Sequence, residues 1–308
     1  VIEVQSLRKE YGSVVAVDDV SFTAEPGAIF GLLGPNGAGK TTTIACIAGL
    51  LKPDGGRIRV LGHDVVTESR ASRKRLGVVP QELALYEDLS ARENLAYWGA
   101  AYGLRGDALR ARVDAVLEVV GLADRAKDAV KKYSGGMKRR LNFACGLVHE
   151  PAVLLLDEPT VGVDPQSRVR ILDLVREETR KGTCVLYTTH YMEEAQALCD
   201  RLAILDHGRM IAAGTLNELA SMMGERDLLR LTGTFDPAAV TRAMAAMDVE
   251  VVQAEDHGLT LAASGASSRL PAIFAGLAAA GAEVRETTLT QPNLESLFIK
   301  LTGKELRE

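Results

Sequence analysis

The chain has 308 residues, 47% hydrophobic and 25% charged, a balance that builds globular cores and excludes a disordered tail. Thirty-six Lys and Arg against 41 Asp and Glu leave a net charge of −5, so there is no global basic field for nucleic acid. At about 100–200 residues per domain, this length suggests two domains or one with large insertions.

In chain order, Val1-Ile2-Glu3-Val4 lacks the basic-then-apolar layout of a secretion signal. Val14 to Ala24 and Ala28 to Leu33 read as strands around a turn at Glu25-Pro26-Gly27. Lys40 to Leu51 reads as a helix ended by Pro53-Asp54-Gly55-Gly56, with short strands following at Arg57 to Leu61 and Leu76 to Val79. From about 83 to 148 the texture is helical, with Val113, Val116, Leu117 and Val120 at i, i+3, i+4 and i+7. Within this block Tyr97, Trp98 and Tyr102 form an aromatic cluster that suits either core packing or a partner surface.

Val153 to Leu156 is an unbroken apolar run, the pattern of a central strand covered on both faces. Asp164-Pro165 is a helix start, Gly182 closes that helix, and Cys184 to Thr188 is the next strand. Leu202 to Leu205 and Met210 to Ala213 flank a hairpin turn at His207-Gly208. Strands alternating with helices predict a largely parallel sheet, placing an α/β domain over about 1–215 with a helical insertion at about 83–148. Over 216–308 the pattern changes to a small α+β domain. Its strands are Leu228 to Thr234, Val249 to Gln253 and Leu259 to Ala262; its helices are Pro237 to Met247, Ser268 to Ala280 and Leu294 to Leu301. Met222, Met223, Met244 and Met247 lie here, as core filler or as a soft apolar ligand site.

The longest apolar run, Pro271 to Val284, is too short for a membrane span and reads as a buried helix. Cys46, Cys145, Cys184 and Cys199 contain no C-x-x-C pair and read as small buried hydrophobes of a reducing compartment. The expectation is a soluble intracellular protein.

The strongest chemical signal is Gly34-Pro35-Asn36-Gly37-Ala38-Gly39-Lys40-Thr41, a G-x-x-x-x-G-K-[ST] loop between a strand and a helix. Its glycines let successive backbone N–H groups point at phosphate oxygens, and the helix N-terminus adds positive potential. Lys40 can reach β- and γ-phosphates, and the Thr41 hydroxyl can ligate Mg²⁺. The second signal is Asp157-Glu158-Pro159 at the end of the buried strand. Asp157 suits the Mg²⁺ shell, and Glu158 is placed to orient and deprotonate a water for in-line attack.

Four weaker signals gain from that company. Ser134-Gly135-Gly136 opens a helical stretch and offers a second set of free N–H groups, though alone it reads as a helix start. Gln81 follows a strand, where its amide can touch metal and water or simply face solvent. His190 follows another strand, as a γ-phosphate partner or a structural imidazole, and Tyr11 can stack on a base.

Together these motifs resemble the ATP-binding cassette of ABC transporters, in order and spacing, over the first two-thirds of the chain. By that resemblance Gly34 to Thr41, with Thr42 beside it, matches Walker A, Gln81 the Q-loop and Ser134-Gly135-Gly136 the signature. Asp157-Glu158 matches Walker B with its catalytic Glu, Val163-Asp164 the D-loop, and His190 the switch His. The fold implied is a P-loop NTPase cassette, a mixed-sheet core with a helical subdomain, plus the small C-terminal α+β domain as an accessory or regulatory unit.

The resemblance further implies ATP and Mg²⁺ as ligands and a homodimer sandwiching two ATP between one subunit's Walker A and the other's signature. The partner implied is an integral-membrane permease, with the ATPase held at the cytoplasmic face of the membrane. Met137 stands where many members have Gln, and it lacks that side chain's hydrogen bonds. The Tyr133-Ser-Gly-Gly-Met137 form and the run Gln291 to Gly303 resemble the subgroup of daunorubicin-resistance ATPases, implying export of drugs, lipids or polysaccharides. The rival reading is a non-transport ABC ATPase acting on ribosomes or nucleic acid. One cassette, no heptad run and the acidic balance rank it second.

Overall fold

A computed structural model describes residues 1–223, 226–290 and 294–302. Two compact units result, Val1–Ala213 and Gly214–Glu308. The first begins β1 (Ile2–Tyr11), β2 (Val14–Ala24), β3 (Ile29–Leu33), α1 (Lys40–Ile47), β4 (Gly55–Val60), β5 (His63–Asp64), α2 (Ser69–Arg73) and β6 (Leu76–Val79). Three helices follow, α3 (Ala91–Ala101), α4 (Gly106–Val119) and α5 (Gly135–Leu147). The unit closes with β7 (Val153–Asp157), α6 (Pro165–Arg180), β8 (Cys184–Thr189), α7 (Met192–Leu198), β9 (Arg201–Asp206) and β10 (Arg209–Gly214).

A six-stranded sheet in the order β10-β9-β3-β8-β7-β6 forms the centre, with β9, β3, β8, β7 and β6 parallel. Strands β3, β7 and β8 are buried at every position, which is why they read as continuous apolar runs. A second, antiparallel sheet, β2-β1-β4-β5, shares one apolar core with it, in which Ile2, Val4, Leu7 and Val20 pack with Leu32, Leu155 and Leu186. Strand β10 returns through His207 and Gly208, both at positive φ.

The helix leaving the glycine loop is shorter than the sequence suggested. It ends at Ile47 because Gly49 adopts φ +67°, and Leu50 beyond it is exposed. In the helical block, Ser90 and Glu93 form a reciprocal capping box at the start of α3. The buried amides of Asn94 and Asn142 accept from the Tyr86 and Ala84 N–H groups, pinning the segment after β6 to α3 and α5.

The second unit runs α8 (Leu216–Met223), β11 (Arg226–Thr234), α9 (Pro237–Ala245), β12 (Glu250–Ala254), β13 (Gly258–Ser264), α10 (Ala266–Ala279), β14 (Glu283–Thr290) and α11 (Leu294–Thr302). The β-α-β-β-α-β run folds into an antiparallel sheet ordered β12-β13-β11-β14, the split βαβ arrangement. Leu229, Leu231, Leu259 and Leu261 pack with Val240, Met244, Ile273 and Leu277 of α9 and α10.

Met244 is fully buried and Met247 packs against the same core, so both are filler; Met222 is exposed. The Pro271–Val284 run is not one buried helix. Within α10 only Ala266, Ile273 and Leu277 are buried, Gly281 turns the chain, and Val284 belongs to β14. Of the C-terminal run, residues 291–293 and 303 lie outside the described residues.

Candidate functional site

Strands β3, β6, β7 and β8 end on the same edge of the sheet, where open α/β sheets collect their ligands. Register sets Leu33 beside Thr189 and Asp157 beside Thr188, so the glycine loop, the two carboxylates and His190 start from adjacent strand ends. The loop requires its glycines. Gly39 sits at φ +98° against the Ala16 carbonyl, and a Cβ at Gly34 would overlap the Leu205 carbonyl. Helix α1 starts with no side-chain cap and no acid in its first turn, leaving its N–H groups to the loop.

Lys40 is only 4% exposed and anchors the cluster. Its Nζ donates to the Gly34 carbonyl at 2.7 Å and the Pro35 carbonyl at 3.0 Å, and lies 3.0 Å from Glu158 Oε1. The other Glu158 oxygen lies 3.1 Å from His190 Nδ1. Glu158 occupies the left-handed region at φ +45°, held there by its N–H, which donates to the Thr188 carbonyl and to Thr188 Oγ1 at 3.0 Å.

The Thr188 hydroxyl in turn donates to Asp157 Oδ1 at 2.7 Å, and the Thr41 hydroxyl bonds the same carboxylate. Burial raises the Asp157 carboxyl above the ordinary range, against the pull of those two hydroxyls; nearby Glu158 adds to the rise and Lys40 opposes it. Thr41 and Asp157 thus offer paired hard oxygen donors beside the glycine loop. That set fits Mg²⁺, which takes one or two carboxylates and completes its shell from phosphates and water. Among the described residues no group of three or more His, Cys, Asp or Glu side chains forms a separate metal site.

The remaining residues singled out in the sequence lie in other settings. Ser134 caps α5 by accepting from the Met137 N–H at 3.3 Å. Asp164 caps α6 by accepting from the Ser167 N–H and hydroxyl; that N–H chiefly, then the hydroxyl, holds its carboxyl low. Gly136 packs against Ser167 and Asp164, and Ser134, Met137, Arg140, Asp164 and Ser167 line an open groove of about 730 Å³. Ser134, Gly136 and Asp164 therefore form a second cluster, with no bond to the Lys40 cluster among the described residues.

Gln81 has an exposed side chain, while its carbonyl is tied down by Arg139. Tyr11 ends β1, half-exposed, with Lys9 Nζ 5.6 Å from its ring centroid. Thr42 is half-buried on α1, and the exposed tip of the glycine loop is Asn36-Gly37.

One structural assignment changes. The aromatic ladder is Tyr86, Tyr97 and Trp98, stacked edge to face, whereas Tyr102 lies flat on His149 at 3.5 Å. Arg139 carries no signal in the sequence that marks its role. It is buried, donates to the Gln81 carbonyl at 2.6 Å and the Val161 carbonyl at 2.8 Å, and so joins α5 to the segments after β6 and β7. All four cysteines are free and buried, their thiols pushed up by burial, Cys46 and Cys184 to about 11. Among the described residues no helix is long and apolar enough to cross a membrane.

Comparison with known proteins adds independent findings. Residues 17–161 match the family model described as ABC transporter. The chain is 42% identical to the linearmycin resistance ATP-binding protein LnrL of Bacillus subtilis, over 100% of both chains. It is 41% identical to the daunorubicin resistance ATP-binding protein DrrA3 of Streptomyces coeruleorubidus, over 99% of this chain and 97% of that one. A solved structure described as the ATP-binding subunit of an ABC transporter superposes with a TM-score of 0.67 at 33% identity, covering 72% of this chain and 93% of its own.

Proposed function

The chain belongs to the ATP-binding subunits of ABC transporters, and we propose that it powers an exporter of antibiotics or similarly amphipathic molecules. It binds and hydrolyses ATP, as its family does. In this reading two copies close head to tail on two ATP, and a separate integral-membrane permease holds them at the cytoplasmic face of the membrane. The observation that carries the reading is the continuous chain Lys40–Glu158–His190 at the strand ends.

The residues take the following roles. The N–H groups of Gly34 to Thr42 and the Lys40 ammonium bind the β- and γ-phosphates, and Tyr11 stacks on the base. Thr41, Asp157 and Gln81 would hold Mg²⁺, which when bound offsets charge on the phosphate oxygens. Glu158 accepts the proton of the attacking water, and His190 orients its carboxylate. Ser134, Gly135 and Gly136 of the second copy cap the γ-phosphate, with Asp164 beside them at the dimer seam. Closure excludes bulk water and supplies donors where charge develops, and hydrolysis removes the contacts that hold the copies together. The residue 216–308 unit serves as an accessory domain. Drug-resistance relatives over their full length support export, and cargo contacts belong to the permease.

Steady-state ATPase assays of the wild type and Glu158→Gln test the assignment. The account expects retained ATP binding with kcat reduced by about a thousandfold, and a variant turning over at the wild-type rate would remove Glu158 from the mechanism.

A further inference from the structure

Outside the residues assigned so far, one side chain gathers more polar contacts than any catalytic group. Glu194 lies in the first turn of α7, 2% exposed. Its Oε1 accepts from the Thr160 hydroxyl at 2.7 Å and lies 3.3 Å from Arg168 Nε; its Oε2 accepts from the Tyr187 hydroxyl at 2.8 Å and the Thr189 hydroxyl at 3.0 Å.

These partners flank the catalytic pair. Thr160 is two residues past Glu158. Thr189 precedes His190, and its Oγ1 also accepts from the Tyr191 N–H at 2.9 Å, so one hydroxyl fixes the backbone on both sides of the imidazole. The Arg168 guanidinium lies over the Tyr191 ring at 4.6 Å, and that ring contacts the His190 ring at 4.1 Å.

We propose that Glu194 is a positioning residue that sets the His190–Glu158 contact, one carboxylate oxygen holding the segment after Glu158 and the other the segment around His190. This rests on the reading of Glu158 and His190 as the catalytic pair. A buried carboxylate with every lone pair engaged is well suited to such a task, because it gives the Thr160, Tyr187 and Thr189 hydroxyls one shared, charged acceptor. Loss of one link leaves the strand ends paired through the Glu158 N–H and Thr188 but loosens the Thr160 or the His190 segment beyond them, and the 3.1 Å contact between Glu158 and His190 is the first to lengthen.

The test is ATPase kinetics of the full chain carrying Glu194→Gln, Thr189→Val, Thr189→Ser or Thr160→Val, with melting curves and ATP affinity measured in parallel. Gln turns one acceptor into a donor and leaves Arg168 uncompensated, Val removes a hydroxyl at constant volume, and Ser keeps it. The expected result is kcat lowered about tenfold or more in Glu194→Gln and Thr189→Val, with KM within about threefold and Thr189→Ser close to wild type. In a His190→Ala background, Glu194→Gln should lower kcat no further than about twofold, because its effect passes through the imidazole.

Wild-type kcat in both Glu194→Gln and Thr189→Val overturns the proposal. So does a loss that tracks melting temperature and KM and is not relieved in Thr189→Ser. Should Glu194→Gln fail to fold, Thr189→Val and Thr160→Val decide the matter by the same criteria. Full activity in Glu158→Gln would instead remove the catalytic reading itself, an outcome separate from failure of the Glu194 variants alone.

Discussion

Lys40 Nζ and Glu158 Oε1 stand 3.0 Å apart with both side chains 4% exposed, so each charge compensates the other where neither side chain reaches solvent. The ammonium is therefore shared between the glycine loop and the carboxylate proposed to activate water. Removing it costs twice. Lys40→Met should weaken ATP binding about a hundredfold and, by leaving Glu158 with His190 as its one remaining side-chain partner, lower stability by about 1–3 kcal/mol. Nucleotide titration and urea melts measure the two losses separately.

Asp157 predicts a conflict between stability and function. Burial raises its carboxyl, so the folded chain holds this proton more tightly than the unfolded chain does. Its stabilising contribution is complete below the ordinary carboxylate range and is lost as pH rises through the raised value. Asp157→Asn cannot ionise, and should melt higher than wild type near pH 8, by about 2–4 °C per kcal/mol relieved. That advantage should shrink as the pH falls, while Mg²⁺-dependent hydrolysis is abolished. Calorimetry across pH checks the sign.

His149 carries a pH dependence of its own, away from the site. Burial against Tyr102 pushes its imidazole down to about 4 from an ordinary value of 6.5; the Leu76 carbonyl pulls the other way and Arg112 adds to the depression. The neutral ring's contribution is complete above the unfolded value and is lost as pH falls toward 4, with an amplitude of about 2–3 kcal/mol. Denaturant melts between about pH 7 and pH 5 should show this loss in the wild type and a flatter profile in His149→Gln.

Arg139 ties the Gln81 segment to the one following Glu158 through two carbonyls. Arg139→Met should lower kcat about tenfold with ATP affinity held by Lys40 little changed, and Arg139→Lys, with a single point of donation, should fall between. ATPase assays alongside nucleotide titration read the split.

The parts legible in the sequence were those whose chemistry shows in residue order. Gly34 to Thr41 announces a phosphate loop because backbone curvature demands glycine at fixed spacing, and Val153 to Leu156 announces a central strand because both faces are covered. Strand β14 escaped notice because Glu283-Val-Arg-Glu-Thr-Thr-Leu-Thr290 is an edge strand, exposed and polar along most of its length. Helix α1 was read too long because Gly49 looked like an ordinary interior residue before Pro53. Glu194 and Arg139 were invisible for a different reason. Each is a charged residue of a type that normally faces solvent, and only the fold shows that it is buried and what it touches.

The central claim is that ATP is enclosed between two copies of this chain, the Lys40 loop of one against the Ser134 helix start of the other. Sedimentation velocity of full-length Glu158→Gln with saturating ATP tests it most directly. The account predicts a nucleotide-dependent species of twice the monomer mass, lost again when Ser134→Arg is added although ATP still binds. A Glu158→Gln chain that binds ATP yet sediments as a monomer at every concentration, with its permease present or absent, would contradict it.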